Sequence, residues 1–182
     1  MFMAYNMKDV FYLDTAVDTG TTTNQTAAVL DLSSYVDPIA RGRSKGTGLA
    51  IYKVHFDICD DNGNQPVAAA ATGQFRAGIM SISGLTAGTV SLNTNVMNAS
   101  NDLMIAGVDF AAGGTAAGDP APHTFLEPSI EVPYVVVRDQ VTLVVNPITA
   151  MSAGASIKVR LECAQVTLDQ ATLNQLLRTQ TV

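Results

Sequence analysis

The run GLAIYKVHFDIC at residues 48–59 decides how this chain is read. From Ala50 to Ile58 the even positions are Ala50, Tyr52, Val54, Phe56 and Ile58, while Lys53, His55 and Asp57 between them are polar. A β-strand sends successive side chains to opposite faces, so this period of two predicts a strand with one buried and one wet face. The same pattern returns near the end of the chain, where Ile157, Val159, Leu161 and Cys163 alternate with Lys158, Arg160 and Glu162.

Shorter runs between and before these two also carry strand character. They are VFYLD (10–14), TAAVLDL (26–32), GQFRAGIMSIS (73–83), GTVSLN (88–93) and DLMIAGVDF (102–110). The β-branched run PYVVVRDQVTLVV (133–145) reads as one bent strand or two. Asp61-Asn62-Gly63-Asn64 supplies residues that accept positive φ and reads as a hairpin turn. Helix signals are few. LSSYVDPIARG (32–42) holds at most one turn, and the tail TLDQATLNQLLRTQ (167–180) offers Asp169 as an N-cap ahead of Leu173, Leu176 and Leu177. Residues 111–123, AAGGTAAGDPAPH, show no pattern and read as a loop of small residues. Eight or nine strands with so little helix predict an all-β chain, a sandwich of two antiparallel sheets. The expected organisation is a single domain over 1–182, with an N-terminal arm at 1–25 and a C-terminal tail at 169–182.

The composition narrows the function. Of 182 residues 47% are hydrophobic and only 14% charged, with a formal net charge of -6. Such a chain is too apolar for disorder, and so thinly charged that part of its surface is expected to be covered in an assembly. Ten Lys and Arg residues are too few for coating nucleic acid by phosphate neutralisation. The start, MFMAYNMKDVFYLD, lacks the pattern of a secretory signal, and the apolar stretch near 132–145 is interrupted by Arg138, Asp139 and Gln140, so no membrane span is expected. Two distant cysteines, Cys59 and Cys163, fit reduced thiols better than a disulfide framework. The Asn-x-Ser/Thr sequences at Asn24 and Asn98 then carry no weight.

Candidate chemistry fails at the level of spacing. Gly42, Gly46 and Gly48 match neither a P-loop nor a dinucleotide fingerprint, because the lysine precedes Gly46 and a strand follows. DICDDNGNQ (57–65) is not a calcium loop, since placing Gly63 sixth puts Ile58 first and Ala69 twelfth, where carboxylates are needed. His55 and His123 are the only histidines, and the His-x-His strand pair of a cupin metal site is broken by Asp57. His55 therefore reads as a hydrogen-bonded surface residue. No G-x-S-x-G elbow occurs, Cys163 alternates with core residues, and neither cysteine has the electropositive setting of a reactive thiolate. Sugar binding lacks its usual exposed aromatics: there is no Trp, and Tyr52, Phe56 and Phe75 fall on apolar faces. No catalytic, metal or cofactor residue is assigned.

Architecture is the remaining reading. The segments DVFYLDTAVDTG (9–20), GLAIYKVHFDIC (48–59), YVVVRDQVTLVV (134–145) and SIKVRLECAQVTL (156–168), together with overall size, give the chain a texture that resembles the small single jelly-roll capsid proteins of tailless icosahedral viruses. The resemblance implies eight strands in two facing sheets, self-assembly into a closed virion shell by symmetric contacts, and no enzymatic activity. It departs from small RNA-virus capsids in one respect: the first 40 residues hold a single base, Lys8. The resemblance therefore implies little or no direct nucleic-acid binding, with other virion proteins or an internal membrane as partners, as in lipid-containing viruses of bacteria and archaea. Assembly would take place in the host cytoplasm. Arg41, Arg43 and Lys45 form the candidate inward-facing basic patch. The alternatives are an accessory virion protein (decoration, cement or tail component) and a cytosolic β-sandwich binding or cupin-like protein. The N-terminal arm, the 41–48 loop, the 111–123 loop and the C-terminal tail are the expected contact regions.

Overall fold

The computed structural model describes residues 9–37, 45–60, 63, 73–82, 87–90, 96–112 and 121–180. In chain order the elements are β1 (Val10–Asp18), β2 (Gln25–Asp31), β3 (Lys45–Cys59), β4 (Gly73–Met80), β5 (Gly88–Val90), β6 (Met104–Ala112), β7 (Ala121–Leu126), β8 (Tyr134–Val136), β9 (Gln140–Thr149), β10 (Ser156–Asp169) and the helix α1 (Gln170–Thr179). They form a four-stranded sheet in the order β1-β10-β3-β8 and a six-stranded sheet in the order β5-β2-β9-β4-β6-β7.

The strand order follows from one long antiparallel ribbon. With β5 and β7 set aside as edge additions, the first strand pairs with the last (β1–β10), the second with the seventh (β2–β9), the third with the sixth (β3–β8) and the fourth with the fifth (β4–β6). Successive pairs of this ribbon fall alternately in the two sheets, which is the wrapping of a jelly roll. The all-β expectation is met, with ten strands among the described residues in place of eight or nine.

The 133–145 run resolves into two strands, β8 and β9, because residues 137–139 carry the chain from one sheet to the other. Asp139 O there accepts from Leu32 N at 2.7 Å. The loop expected at 111–123 is in part strand. Residues 111 and 112 still belong to β6, 121–123 open β7, and 113–120 lie outside the described residues. β7 escaped notice because it is an edge strand: Pro122, His123 and Thr124 are all exposed, so its pairing with β6 is made by backbone and leaves no apolar period. The single turn at 32–36 forms, with Leu32 O accepting from Tyr35 N and Val36 N at 2.8 and 3.0 Å.

One core fills the space between the sheets. Leu49, Ile51, Val54, Ile157, Val159, Leu161 and Cys163 meet Phe75, Ala77, Ile79, Val108, Phe110, Val141, Leu143 and Val145 across it. Phe75 and Phe110 stack with ring centroids 5.0 Å apart. The alternation of 157–163 is thus borne out, but that of 50–58 holds only from Val54 onward. Lys53 pairs with Glu162 and Ile51 with Cys163, so Tyr52 is an extra residue in a bulge. The bulge reverses the facing of everything before it. Leu49 and Ile51 enter the core, while Ala50 and Tyr52 join Ala164 in a small apolar cluster on the outer face, with Val135 and Val166 packed against it.

The six-stranded sheet also carries an outer apolar layer, built from Ala27, Met80, Met97, Leu103, Met104 and Val144. Gly107 lies directly under the Phe125 ring, which leaves no room for a Cβ. Arg76 spans this side, with a bidentate ion pair to Asp109 (2.6 and 2.7 Å) and its guanidinium 4.4 Å from the Phe125 ring centre.

At the C-terminus Asp169 ends β10 and caps α1 as expected, accepting from Thr172 N at 2.7 Å. Leu173 is buried over Gly46, where a Cβ would come within 2.8 Å of it. Gln180 then ties the end of the helix down: its Oε1 accepts from Val137 N (3.2 Å) and Ser81 Oγ (3.3 Å), and its Nε2 donates to Val135 O at 2.6 Å.

Candidate assembly surfaces

Beyond the bulge, the outer face of the four-stranded sheet is bare and charged. Tyr12 and Asp14 of β1, Lys158, Arg160 and Glu162 of β10, and His55 and Asp57 of β3 surround an open depression of about 890 Å³. Arg160 Nε donates to Asp14 Oδ1 at 2.8 Å, and its guanidinium stands 5.6 Å from the centre of the Tyr12 ring, which is 57% exposed. The Asp14 partner raises the Arg160 pKa further above its ordinary value. His55 Nε2 and Glu162 Oε1 are 2.7 Å apart on the same face, which places His55 as the hydrogen-bonded surface histidine its sequence position implied. These pairs cross between adjacent strands and are solvent-screened, so they align the ladder more than they stabilise it.

A second feature is the flank of β3. β8 is only three residues long and pairs with Leu49, Ala50 and Ile51. Past that point, from Lys53 to Cys59, β3 has β10 on one side and no strand among the described residues on the other. Below this flank a groove of about 270 Å³ opens between the two sheets, lined by Phe56, Asp57 and Ile58 of β3, Phe110 of β6 and Pro122 of β7. Phe56 and Ile58 remain half-buried where their counterparts on β10, Val159 and Ile157, are fully buried.

The basic patch is represented by Lys45 alone, since Arg41 and Arg43 lie outside the described residues. Lys45 is exposed at the start of β3, opposite Asp169 in the β3–β10 ladder. Asp169 is held below the usual carboxylate range, first by the Thr172 backbone N–H and in smaller part by Lys45. The Asp61–Asn64 turn also falls outside the described residues except for Gly63, which has φ +80° and donates to Asp60 O at 3.0 Å.

Both cysteines are buried free thiols. Burial, then the neighbouring Glu162 charge, pushes the Cys163 thiol up to about 12, which keeps it protonated. His55 lies on β3 of one sheet and His123 on β7 at the edge of the other, and the described residues contain no cluster of three or more His, Cys, Asp or Glu able to hold a metal. Large apolar side chains are exposed toward both ends of the sandwich: Ile148 at the end of β9, and Ile130 and Val132 in the turn before β8.

The open β3 flank was not anticipated. Its signal lay in the mismatch between the fifteen residues of β3 and the three of β8, which sequence alone cannot see because it does not say that they pair.

No family model matches this chain, and no curated protein matches it in sequence. Among solved structures it is similar to the human polyomavirus 7 VP1 pentamer at 9% identity and a TM-score of 0.47, covering 91% of this chain and 98% of that one. It is also similar to VP1 of the trichodysplasia spinulosa-associated polyomavirus in complex with sialylated precision glycooligomers, at 6% identity and a TM-score of 0.49, covering 92% of this chain and 97% of that one. Likenesses this distant carry no functional argument. The jelly-roll assignment rests on the strand order itself.

Proposed function

We propose that this chain is a structural subunit of a viral capsid that self-assembles into the virion shell. The observation that carries the reading is the wrapped-ribbon strand order, since it is the fold implied by the sequence resemblance to single jelly-roll capsid proteins. Two further features support it. Only 14% of the residues are charged. Large apolar side chains stand in solvent at both ends of the sandwich: Ile148, Ile130 and Val132 are 62%, 60% and 74% exposed. Side chains so placed are suited to contacts with neighbours in a shell. Copies of itself are the principal partners, and other virion proteins or an internal membrane handle the genome. The particle belongs to the tailless icosahedral kind, assembled in the host cytoplasm. No catalytic role is assigned, and Arg41, Arg43 and Lys45 form a basic patch on the inner surface.

Electron microscopy of the overexpressed, purified protein tests the proposal. Closed shells, tubes or regular capsomers are expected, and a chain that stays monomeric at high concentration refutes it. Reversing the charge of Arg41, Arg43 and Lys45 together is expected to lower genome content in particles. Unchanged content removes the inward placement while leaving the shell reading intact.

A further inference from the structure

We infer that the open flank of β3, Lys53–Cys59, is a docking edge for residues 1–8 (MFMAYNMK) of a second copy of this chain, received as an added β-strand. The inference rests on the self-association reading and deepens it by naming which surfaces meet.

The acceptor is defined by geometry. Seven consecutive residues laddered to β10 on one side have no backbone partner on the other among the described residues. A row of free N–H and C=O groups is a template for another strand. Side chains stand perpendicular to a sheet, so Lys53 and His55 project from the outer face and do not block approach along the edge, while Asp57 shares that face and also borders the groove. On the inner side Phe56 and Ile58 are only half-buried, over the 270 Å³ groove completed by Phe110 and Pro122. A strand laid on this edge would pair the free backbone and send every second side chain into that groove.

The donor is defined by sequence and length. In residues 1–8 the odd positions are Met1, Met3, Tyr5 and Met7, all largely apolar, while Asn6 and Lys8 are the polar even positions and Phe2 and Ala4 the apolar ones. One face of an extended segment is therefore apolar along its whole length and can cover Phe56 and Ile58. Methionine is unbranched and fits irregular gaps. Eight extended residues span about 26 Å and the seven-residue edge about 23 Å, so the two match. The same length excludes docking onto the chain's own edge. Val10 pairs with Ala164, which pairs with Ala50, so the segment leaves from the opposite border of the sheet, with β10 between β1 and β3. Crossing two strand spacings alone takes about 10 Å, and too few residues would remain to line the edge. Only another copy's segment reaches it in full.

The test uses the full chain, a version lacking residues 1–8, and a fluorescein-labelled MFMAYNMK peptide. The truncated protein is expected to keep its circular dichroism spectrum, to self-associate at least tenfold more weakly by sedimentation, and to bind the peptide saturably at one per chain. An Ala4→Pro peptide, which lacks one backbone donor, is expected to bind at least tenfold more weakly, as is the unaltered peptide on a Phe56→Lys protein. If Phe56→Lys does not fold, Ile58→Asn takes its place. Absence of peptide binding, or equal binding of the Ala4→Pro peptide, overturns the inference. So does a truncated protein that associates as well as the full chain, and that result leaves the shell reading standing. A full chain that stays monomeric at high concentration, even where the peptide binds the truncated protein, overturns both the docking of a second copy and the shell reading.

Discussion

Lys45–Tyr52 and Lys53–Cys59 are consecutive stretches of one strand, laddered to the same neighbour, and they live in different surroundings. The first has β10 on one side and, over Leu49–Ile51, β8 on the other. Its outer face is apolar, with Ala50 and Tyr52 buried against Ala164. The second has β10 as its one neighbour among the described residues, an outer face of His55 and Asp57 in solvent, and an inner face only half-closed. What separates them is one extra residue, Tyr52. The bulge moves the apolar period from one face to the other, so each stretch presents Leu, Ile, Val or Phe to the core while their outer faces become opposites.

The largest effect that can break this contrast comes from truncating one core residue in each stretch. Ile51 is fully buried, so Ile51→Ala is expected to cost about 3 kcal/mol in urea unfolding. Phe56→Ala, although a larger deletion, is expected to cost less than about 2 kcal/mol in isolated subunits because the ring is only partly buried. Equal costs mean that the two stretches are packed alike.

Alkaline titration sharpens the same comparison. Ile51 is flanked in the ladder by Cys163 on one side and Tyr134 on the other. Burial pushes both groups up to about 12, from 9.0 for the thiol and 10.0 for the phenol. Their neutral forms favour the fold, fully so below the unfolded values, and this stability is lost as pH rises through 9 to 12. The loss is at most about 4 kcal/mol for the thiol and about 3 kcal/mol for the phenol. Denaturation midpoints should therefore fall steeply across this window. Tyr134→Phe should remove part of the slope, whereas a flat profile in the parent protein contradicts burial at this point.

The smallest effect belongs to the bare face. His55→Ala removes the contact with Glu162 in a solvent-exposed setting and should change stability by no more than about 0.5 kcal/mol. A larger loss indicates that the face is covered even in the isolated chain.

Much of the fold was legible because period-two alternation is a local property of strands with one wet side. It located β10 from Ile157 to Cys163, and Asp169 announced α1 by its side chain alone, since capping needs only the backbone N–H three residues on. Reading failed where the cause was not local. The bulge at Tyr52 is fixed by what β10 offers opposite it, and β7 is held by backbone pairing to β6 with its side chains in water. Of the candidate surfaces, His55 was recognisable from its polar neighbours Lys53 and Asp57. The depression beside it was not, because Tyr12, Asp14 and Arg160 come together only when β1 and β10 pair.

The sequence by itself determined that this is a β protein with two long strands, a capped terminal helix and a buried Cys163, because alternation, capping and burial of a residue type act over a few neighbours. Tertiary structure decided which face of each strand is inside, which strands meet, and that β3 outruns its partner. Those outcomes depend on register between segments as far apart as Ile51 and Cys163, and no short window of residues contains both.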